Sequence, residues 1–397
     1  MSKKILIAGA GIGGLCAAIA LAKRGFRAEV FEQAAAFSEV GAGLQLSPNA
    51  MQVLNELGLS EQLSAHSFSP LNATMRHYQS GAEYLSLALA ERCKSRYGAE
   101  YLHIHRADLQ HVLHQSALER GVKITLNAQV SAYQQAASEV ELSLSNGDSI
   151  HGDVLLGADG IRSNIHTQML GQTPAQFTGQ VAWRGTVPAD RLPKALVKPN
   201  ANLWVGPGRH FVSYYLRGGS LVNFVAVEER TNWTKESWHE RGDIQQLRGA
   251  FSCWHPEVTE VLAAADECFL WALFDRPPLP KWVDGKVALM GDACHPMLPF
   301  LAQGAAMAIE DAYVLAAMLA RYSDTAAALQ AYQTQRLPRT SKTQGMARAN
   351  ARLYHMSSML EKSKLTALKL ATKVSPMLAS RPLELIYAYD VVRANRG

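Results

Sequence analysis

The chain has 397 residues, of which 48% are hydrophobic and 18% charged, with 29 Gly, 16 Pro and 5 Cys; that suffices for one large domain or two to three ordinary ones with a buried core. High apolar content without a low-complexity tract excludes a disordered tail, a collagen-like repeat and a disulfide-stapled mini-protein. Lys plus Arg number 39 against 34 Asp plus Glu, a net +5, but the basic residues are scattered singly, which argues against nucleic-acid binding.

The densest basic stretches, Arg336 to Lys342 and Arg348 to Arg352, read as the solvated face of an amphipathic helix. Cys16, Cys93, Cys253, Cys268 and Cys294 are odd in number, far apart and without a CxxC pair. Reduced thiols in a cytoplasmic enzyme without a metal site are expected.

Ile5 to Ala22 carries no charge and follows Lys3 and Lys4, which imitates a signal peptide or a membrane span. Gly9, Gly11, Gly13 and Gly14 interrupt it, and glycine is costly inside a helix. The alternative is a buried parallel strand over Lys4 to Ala8, a glycine turn, and a helix that stops at Gly25. A second strand over Ala28 to Phe31 then ends at Glu32, completing a βαβ unit. Gly9 permits the tight turn, Gly11 admits a pyrophosphate, Gly14 lets helix and strand pack closely, and the helix N-terminus supplies N–H groups and positive dipole. Glu32 suits the ribose hydroxyls and disfavours a 2′-phosphate, so NAD or FAD is the expected nucleotide.

Two further strand-to-turn junctions carry one aspartate each. Val154 to Leu156 runs into Gly157-Ala-Asp159-Gly160-Ile-Arg162-Ser163, and Lys286 to Met290 runs into Gly291-Asp292-Ala-Cys-His295-Pro296. Alone, either aspartate reads as the cap of its own turn. Between them, Val181 to Val187, Ala201 to Val205, Arg209 to Arg217 and Ser220 to Glu228 read as an antiparallel sheet of hairpins lying over the nucleotide as a substrate-facing layer. His210, Val212 and Tyr214 share one face of their strand, whereas Trp183 and Arg184 alternate, so only one of these two can face a pocket. After Pro338 the tail reads as helices interrupted at Pro376 and Pro382, with apolar positions suited to packing on the first domain or on a dimer partner.

Together these motifs resemble the FAD-dependent aromatic hydroxylases, the single-component flavoprotein monooxygenases that include salicylate hydroxylase and 3-hydroxybenzoate 6-hydroxylase. The likeness rests on the glycine turn with Glu32, residues 41–50, Arg106 within HRADLQ, residues 157–163, 182–188 and 291–312, and YQTQRLPR at 332–339. It implies an α/β fold: a Rossmann-type FAD-binding domain over 1–175 and 267–340, an antiparallel substrate domain over 176–266 and C-terminal helices over 341–397. It also implies non-covalent FAD held by Gly9, Gly11, Gly13, Gly14, Glu32, Gln33, Arg106, Asp159, Asp292, Pro299, Gly304 and Ala305. NADH or NADPH is the transient reductant, and O2 forms a flavin C4a-hydroperoxide that hydroxylates a small aromatic, hydroxybenzoate-type ring. Gln45, Trp183, His210, Tyr214 and Phe300 are the implied substrate contacts, with His210 and Tyr214 catalytic. Gln45 and Phe300 stand where the hydroxynicotinate enzymes carry histidines, which turns the expectation towards benzoates. Gly41 and Gly43 are expected to lend mobility to the loop facing the flavin. His295 and Cys294 are expected to pack the flavin loop. An epoxidase or reductase acting on an isoprenoid, quinone or quinolone is the alternative, and the chain is expected to be a monomer or homodimer.

Overall fold

The protein is described by a computed structural model covering residues 2–37, 43–231, 240–355, 358–374 and 376–396. Gly41 lies outside the described residues.

The charge-free N-terminal stretch divides as its glycines dictate, into strand Lys4–Ala8 and helix Ile12–Ala22. Among the described residues no helix is long and apolar enough to cross a membrane. Strand Lys4–Ala8 pairs in parallel with Arg27–Phe31 on one side and Val154–Gly157 on the other. The sheet order is 283–284, 287–289, 154–157, 4–8, 27–31, 123–125. The chain therefore reverses its direction of growth between 4–8 and 154–157, and in open parallel sheets ligands bind in the crevice at the carboxyl ends beside such a switch point. Ile5, Leu6 and Ile7 are wholly buried because the sheet is covered on both sides, by helix Ile12–Ala22, against which helix Gly304–Arg321 packs, and by a three-stranded antiparallel sheet of Val130–Gln135, Val140–Leu144 and Ser149–Gly152, whose Gly152 sits against Leu6.

The second layer is an eight-stranded sheet ordered 240–242, 268–275, 176–188, 221–229, 209–216, 201–206, 72–77, 83–88. The expected hairpins are present, but the sheet is not confined to residues 176–266. It recruits Asn72–His77 by a parallel pairing with Ala201–Gly206, then Glu83–Ala88 and Cys268–Asp275 by antiparallel ones. Pairing over such sequence distances leaves no local signal.

Helix Thr325–Tyr354 runs through Pro338 and across the boundary expected at 341. An internal proline costs a helix about 3 kcal/mol, and ion pairs from Arg336 and Arg339 to Glu310 offset it. Arg336 is thus fully buried and not part of a solvated face. Helices Met359–Val374 and Pro376–Tyr387 follow, residue 375 lying outside the described residues, and the second continues through Pro382. Leu365 packs with Met75 and Val205, and Ile386 with Leu89 and Tyr101. The tail therefore lies against the eight-stranded sheet and its neighbours, while Leu370 and Leu385 stay exposed.

Candidate active site

The first glycine turn is shaped by two contacts. Gly9 adopts φ +98°, and a Cβ on Gly14 would come within 2.0 Å of the Gly9 carbonyl, so strand and helix touch through bare backbone. Gly11, the N-cap, offers the helix amides no side-chain acceptor and has open space where a Cβ would point, while Gly13 abuts Ala308. The amides at this end are thus aimed at the crevice with room for a bulky anion before them. Glu32 receives the Ala10 amide at 2.7 Å and the Ala34 amide at 2.9 Å, holding the turn from the second strand. A carboxylate has about four acceptor sites, so capacity remains for a ribose. Gln33 and Arg106, which opens helix Arg106–Glu119, are both exposed.

The third junction is built for rigidity. Asp311 accepts from the Gly291 amide at 3.1 Å, bonds His295, and takes the Arg336 guanidinium at 2.7 Å, while Glu310 binds Arg336, Arg339 and Asn49. Burial alone would raise the Asp311 pKa, but His295 and Arg336 together pull it down to about 2. Cys294, His295 and Asp311 place potential metal ligands within 4.8 Å of one another, yet the positive charge in the cluster is already the Arg336 guanidinium. His295 thus braces the loop, leaving Asp292 and Pro299 exposed and Gly304 and Ala305 half-buried. The Gln303 amide is spent on Ser47 and Asn49, so the first N–H groups of helix Gly304–Arg321 have no side-chain cap. Their positive end suits a ring that gathers negative charge on reduction.

Asp159 has a structural part that its motif does not announce. Its Oδ2 caps helix Asn164–Leu170 through the Asn164 amide at 2.9 Å, and its Oδ1 is buried without a partner. Only Oδ2 closes the turn, so Oδ1 keeps unspent acceptor capacity, and Asp159 is half-buried beside half-buried Gly160 and exposed Arg162.

The eight-stranded sheet supplies the facing wall. Strand parity puts Trp183 on the far face, where it packs with Phe211, Phe224 and Leu247 and donates to Glu228 at 3.1 Å. Trp183 is therefore a packing residue and not a substrate contact. Arg184 occupies the near face, its guanidinium over Trp271 at 4.7 Å, and burial followed by repulsion from Arg106 lowers its pKa to about 10. His210 is also on the near face, with Phe300 at 5.3 Å and Tyr354 at 5.4 Å between ring centroids. Tyr214 meets the His103 ring at 4.4 Å and lies so close to Gly43 that a Cβ there would be 2.5 Å from it. Gln45 accepts from Tyr101 at 2.6 Å.

Four residues of extended strand put His210 and Tyr214 about 13 Å apart, with half-buried Val212 and its cross-strand neighbour Val225 between them. Tyr214 therefore cannot orient the imidazole. His355 does, its Nε2 lying 2.9 Å from His210 Nδ1, and its own Nδ1 lies 2.9 Å from Glu229 Oε1. Burial, then the adjacent His355, push the His210 pKa well below the ordinary imidazole range, so it is neutral near pH 7. His103, Tyr101, Tyr354, His355 and Glu229 escaped the sequence reading, since each gains meaning only from a partner distant in the chain.

These features define a dinucleotide crevice beneath an aromatic, imidazole-bearing wall, and the chain matches the FAD binding domain family over residues 2–346. It is 38% identical over 360 residues to the 3-hydroxybenzoate 6-hydroxylase 1 of Aquipseudomonas alcaligenes, covering 89% of this chain and 90% of that one. It is 35% identical to the 6-hydroxynicotinate 3-monooxygenase of Bordetella bronchiseptica, covering 87% and 91%. Among solved structures, Klebsiella pneumoniae HpxO complexed with FAD and uric acid superposes with a TM-score of 0.85 at 26% identity, covering 96% and 97%. A salicylate hydroxylase substrate complex gives 0.84 at 26%, covering 100% and 97%. The chain belongs to the FAD-dependent aromatic hydroxylases. It is a flavoprotein monooxygenase that acts on aromatic substrates, with FAD as its cofactor.

Proposed function

We propose that the enzyme hydroxylates a small hydroxybenzoate-type acid at the expense of NADH or NADPH and O2, with His210 as the base for the phenolic proton. The observation that carries this reading is His210 itself: an imidazole kept neutral by burial, on the sheet face that looks towards the flavin loop, 5.3 Å from Phe300. Relatives at 33–38% identity are named for 3-hydroxybenzoate and 3-amino-4-hydroxybenzoate, and Gln45 and Phe300 leave this chain without the two extra histidines of the hydroxynicotinate type.

The residues fit the cofactor. Gly9, Gly11, Gly14 and the amides after them would hold its pyrophosphate, Glu32 with Gln33 its adenosine end, and Asp292 its ribityl chain, with Arg106 a further contact, all non-covalently. When bound, FAD supplies the redox chemistry, taking electrons from the nicotinamide and passing one atom of O2 to the ring. The protein's task is to place the ring over Val212 and Val225, with Gln45 and Tyr214 at one end and His210 and Phe300 at the other. Removing the phenolic proton enriches the ring for attack; a neutral imidazole has a lone pair to accept it, but the burial that keeps His210 neutral also weakens it as a base, so the proton has to be passed on. Pro299, Gly304 and Ala305 would keep backbone rather than bulk beside the flavin.

The test is to load the protein with FAD and measure NADH and NADPH oxidation with hydroxybenzoates, aminohydroxybenzoates, hydroxypyridines and quinolones, identifying products by mass. A hydroxybenzoate should accelerate oxidation and emerge with one added oxygen. Acceleration by none of the benzoates, or by quinolones alone, would refute the substrate class.

A further inference from the structure

A base sealed inside a protein must dispose of the proton it takes, because an imidazolium left in an apolar pocket is costly. His210 is 3% exposed and His355 is wholly buried, whereas the Glu229 side chain is 49% exposed. The three groups form an unbroken line of 2.9 Å contacts from the substrate wall to solvent. Their backbones are locked together through one residue: the Gly208 amide donates to the His355 carbonyl at 2.8 Å, and the Gly208 carbonyl accepts from the Glu229 amide at 3.0 Å. Strand Arg209–Leu216, the end of helix Thr325–Tyr354 and strand Leu221–Glu229 thus meet at the relay.

We propose that His355 and Glu229 are the proton exit of the hydroxylase, carrying to solvent the proton that His210 takes from the substrate. This rests on the reading of His210 as the base. In the resting state His210 carries its proton on Nδ1 and donates to His355 Nε2, and His355 carries its own on Nδ1 and donates to the Glu229 carboxylate. The lone pair of His210 is then on Nε2. When the phenolic O–H breaks and an N–H forms at Nε2, the Nδ1 proton passes to His355 Nε2, the His355 Nδ1 proton passes to Glu229, and Glu229 releases it to water. Neither ring gains net charge, so burial does not oppose the transfer.

The other groups packed here do not compete. The Tyr354 hydroxyl donates to the Phe300 carbonyl at 3.1 Å, and burial pushes its pKa up. Arg209 and Arg230 are paired with Glu228. Gln180 Nε2 lies 3.3 Å from His355 Nδ1 and Gln180 Oε1 has no partner; the relay requires this amide flipped, so that Oε1 accepts from the same N–H that faces Glu229.

The experiment uses the FAD-loaded full chain with 3-hydroxybenzoate as the probe, following phenolate absorbance after rapid mixing in H2O and D2O. Glu229→Gln alters an exposed side chain, and His355→Gln keeps hydrogen-bonding capacity without a group that shuttles protons. Both should retain FAD while phenol ionisation slows about tenfold or more and its solvent isotope effect changes. If His355→Gln fails to fold, Glu229→Gln carries the test alone. Ionisation at the wild-type rate in the folded variants, with His210→Ala slow, overturns the relay and keeps the base. An unchanged rate in His210→Ala, or no binding of the probe, overturns both. Without any substrate, nitrogen-15 imidazole spectra of the holoenzyme should show Nδ1–H tautomers for His210 and His355; Nε2–H tautomers for both would overturn the direction of transfer.

Discussion

The two faces of the eight-stranded sheet are made by alternate residues of the same strands, yet they differ in kind. On the far face Trp183, Trp204, Phe211 and Phe224 are wholly buried beneath helices Ile244–Ala250 and Pro256–Ala264. On the near face the same strands present Arg184, His210, Val212 and Tyr214. Period two lets one strand hold the fold together with one set of side chains and perform chemistry with the other. Neighbouring substitutions should therefore fail differently, and that contrast is open to direct attack.

The largest expected effect is on the far face. Phe211→Ala removes a wholly buried ring between Phe224 and Phe251 and should cost about 3–5 kcal/mol of stability, the usual toll of a large-to-small core change. Denaturant midpoints measure it, while turnover per bound flavin in the surviving folded enzyme should be normal. Full stability with lost coupling would break the comparison. On the near face His210→Ala should do the reverse: FAD content and folding persist, hydroxylation falls about 10²-fold or more, and NADH consumed exceeds product formed. Should product per NADH and rate both hold, His210 is only a sheet residue. Across the crevice, Asp292→Ala should weaken FAD retention by about 1.5–3 kcal/mol, the worth of a charge-assisted hydrogen bond, seen by equilibrium dialysis. Unchanged FAD affinity would remove Asp292 from the ribityl site.

What the sequence made legible were features whose meaning is local. The βαβ turn from Gly9 to Glu32 declares itself because strand, glycines, helix and acid must occur in that order, and the His210 face follows from alternation alone. Parity could not say whether Trp183 or Arg184 faced the crevice, since that depends on which side of the sheet the helices 244–250 and 256–264 cover. Asp159 caps helix Asn164–Leu170 with one oxygen, a use that its motif does not announce. Pro338 reads as a stop until Glu310 is known to bind Arg336 and Arg339. His355 sits 145 residues from His210, and no spacing rule joins them.

The last expected effect concerns the acids behind each face. Behind the crevice, Asp311 has His295, Arg336 and the Gly291 amide as partners. Behind the far face, buried Glu257 has Arg76 at 3.5 Å on one oxygen and no partner on the other. Desolvation therefore wins over the Arg76 charge and raises the Glu257 pKa to about 7. The signs are opposite. A lowered folded pKa means that Asp311 contributes its stability in full above about pH 4 and loses it as the pH falls towards 2. A raised one means that Glu257 costs nothing below about pH 4.5 and opposes folding increasingly as the pH climbs through 7. Carbon-13 carboxyl shifts should place the Glu257 midpoint near 7 and show no Asp311 titration above pH 4. Between pH 5 and 8 wild-type stability should fall by about 2–3 kcal/mol more than that of Glu257→Gln, where the titrating acid is gone. A Glu257 midpoint at or below 4.5 would mean that Arg76 satisfies this acid as fully as Arg336 satisfies Asp311, and that the two sides of the molecule treat buried charge alike.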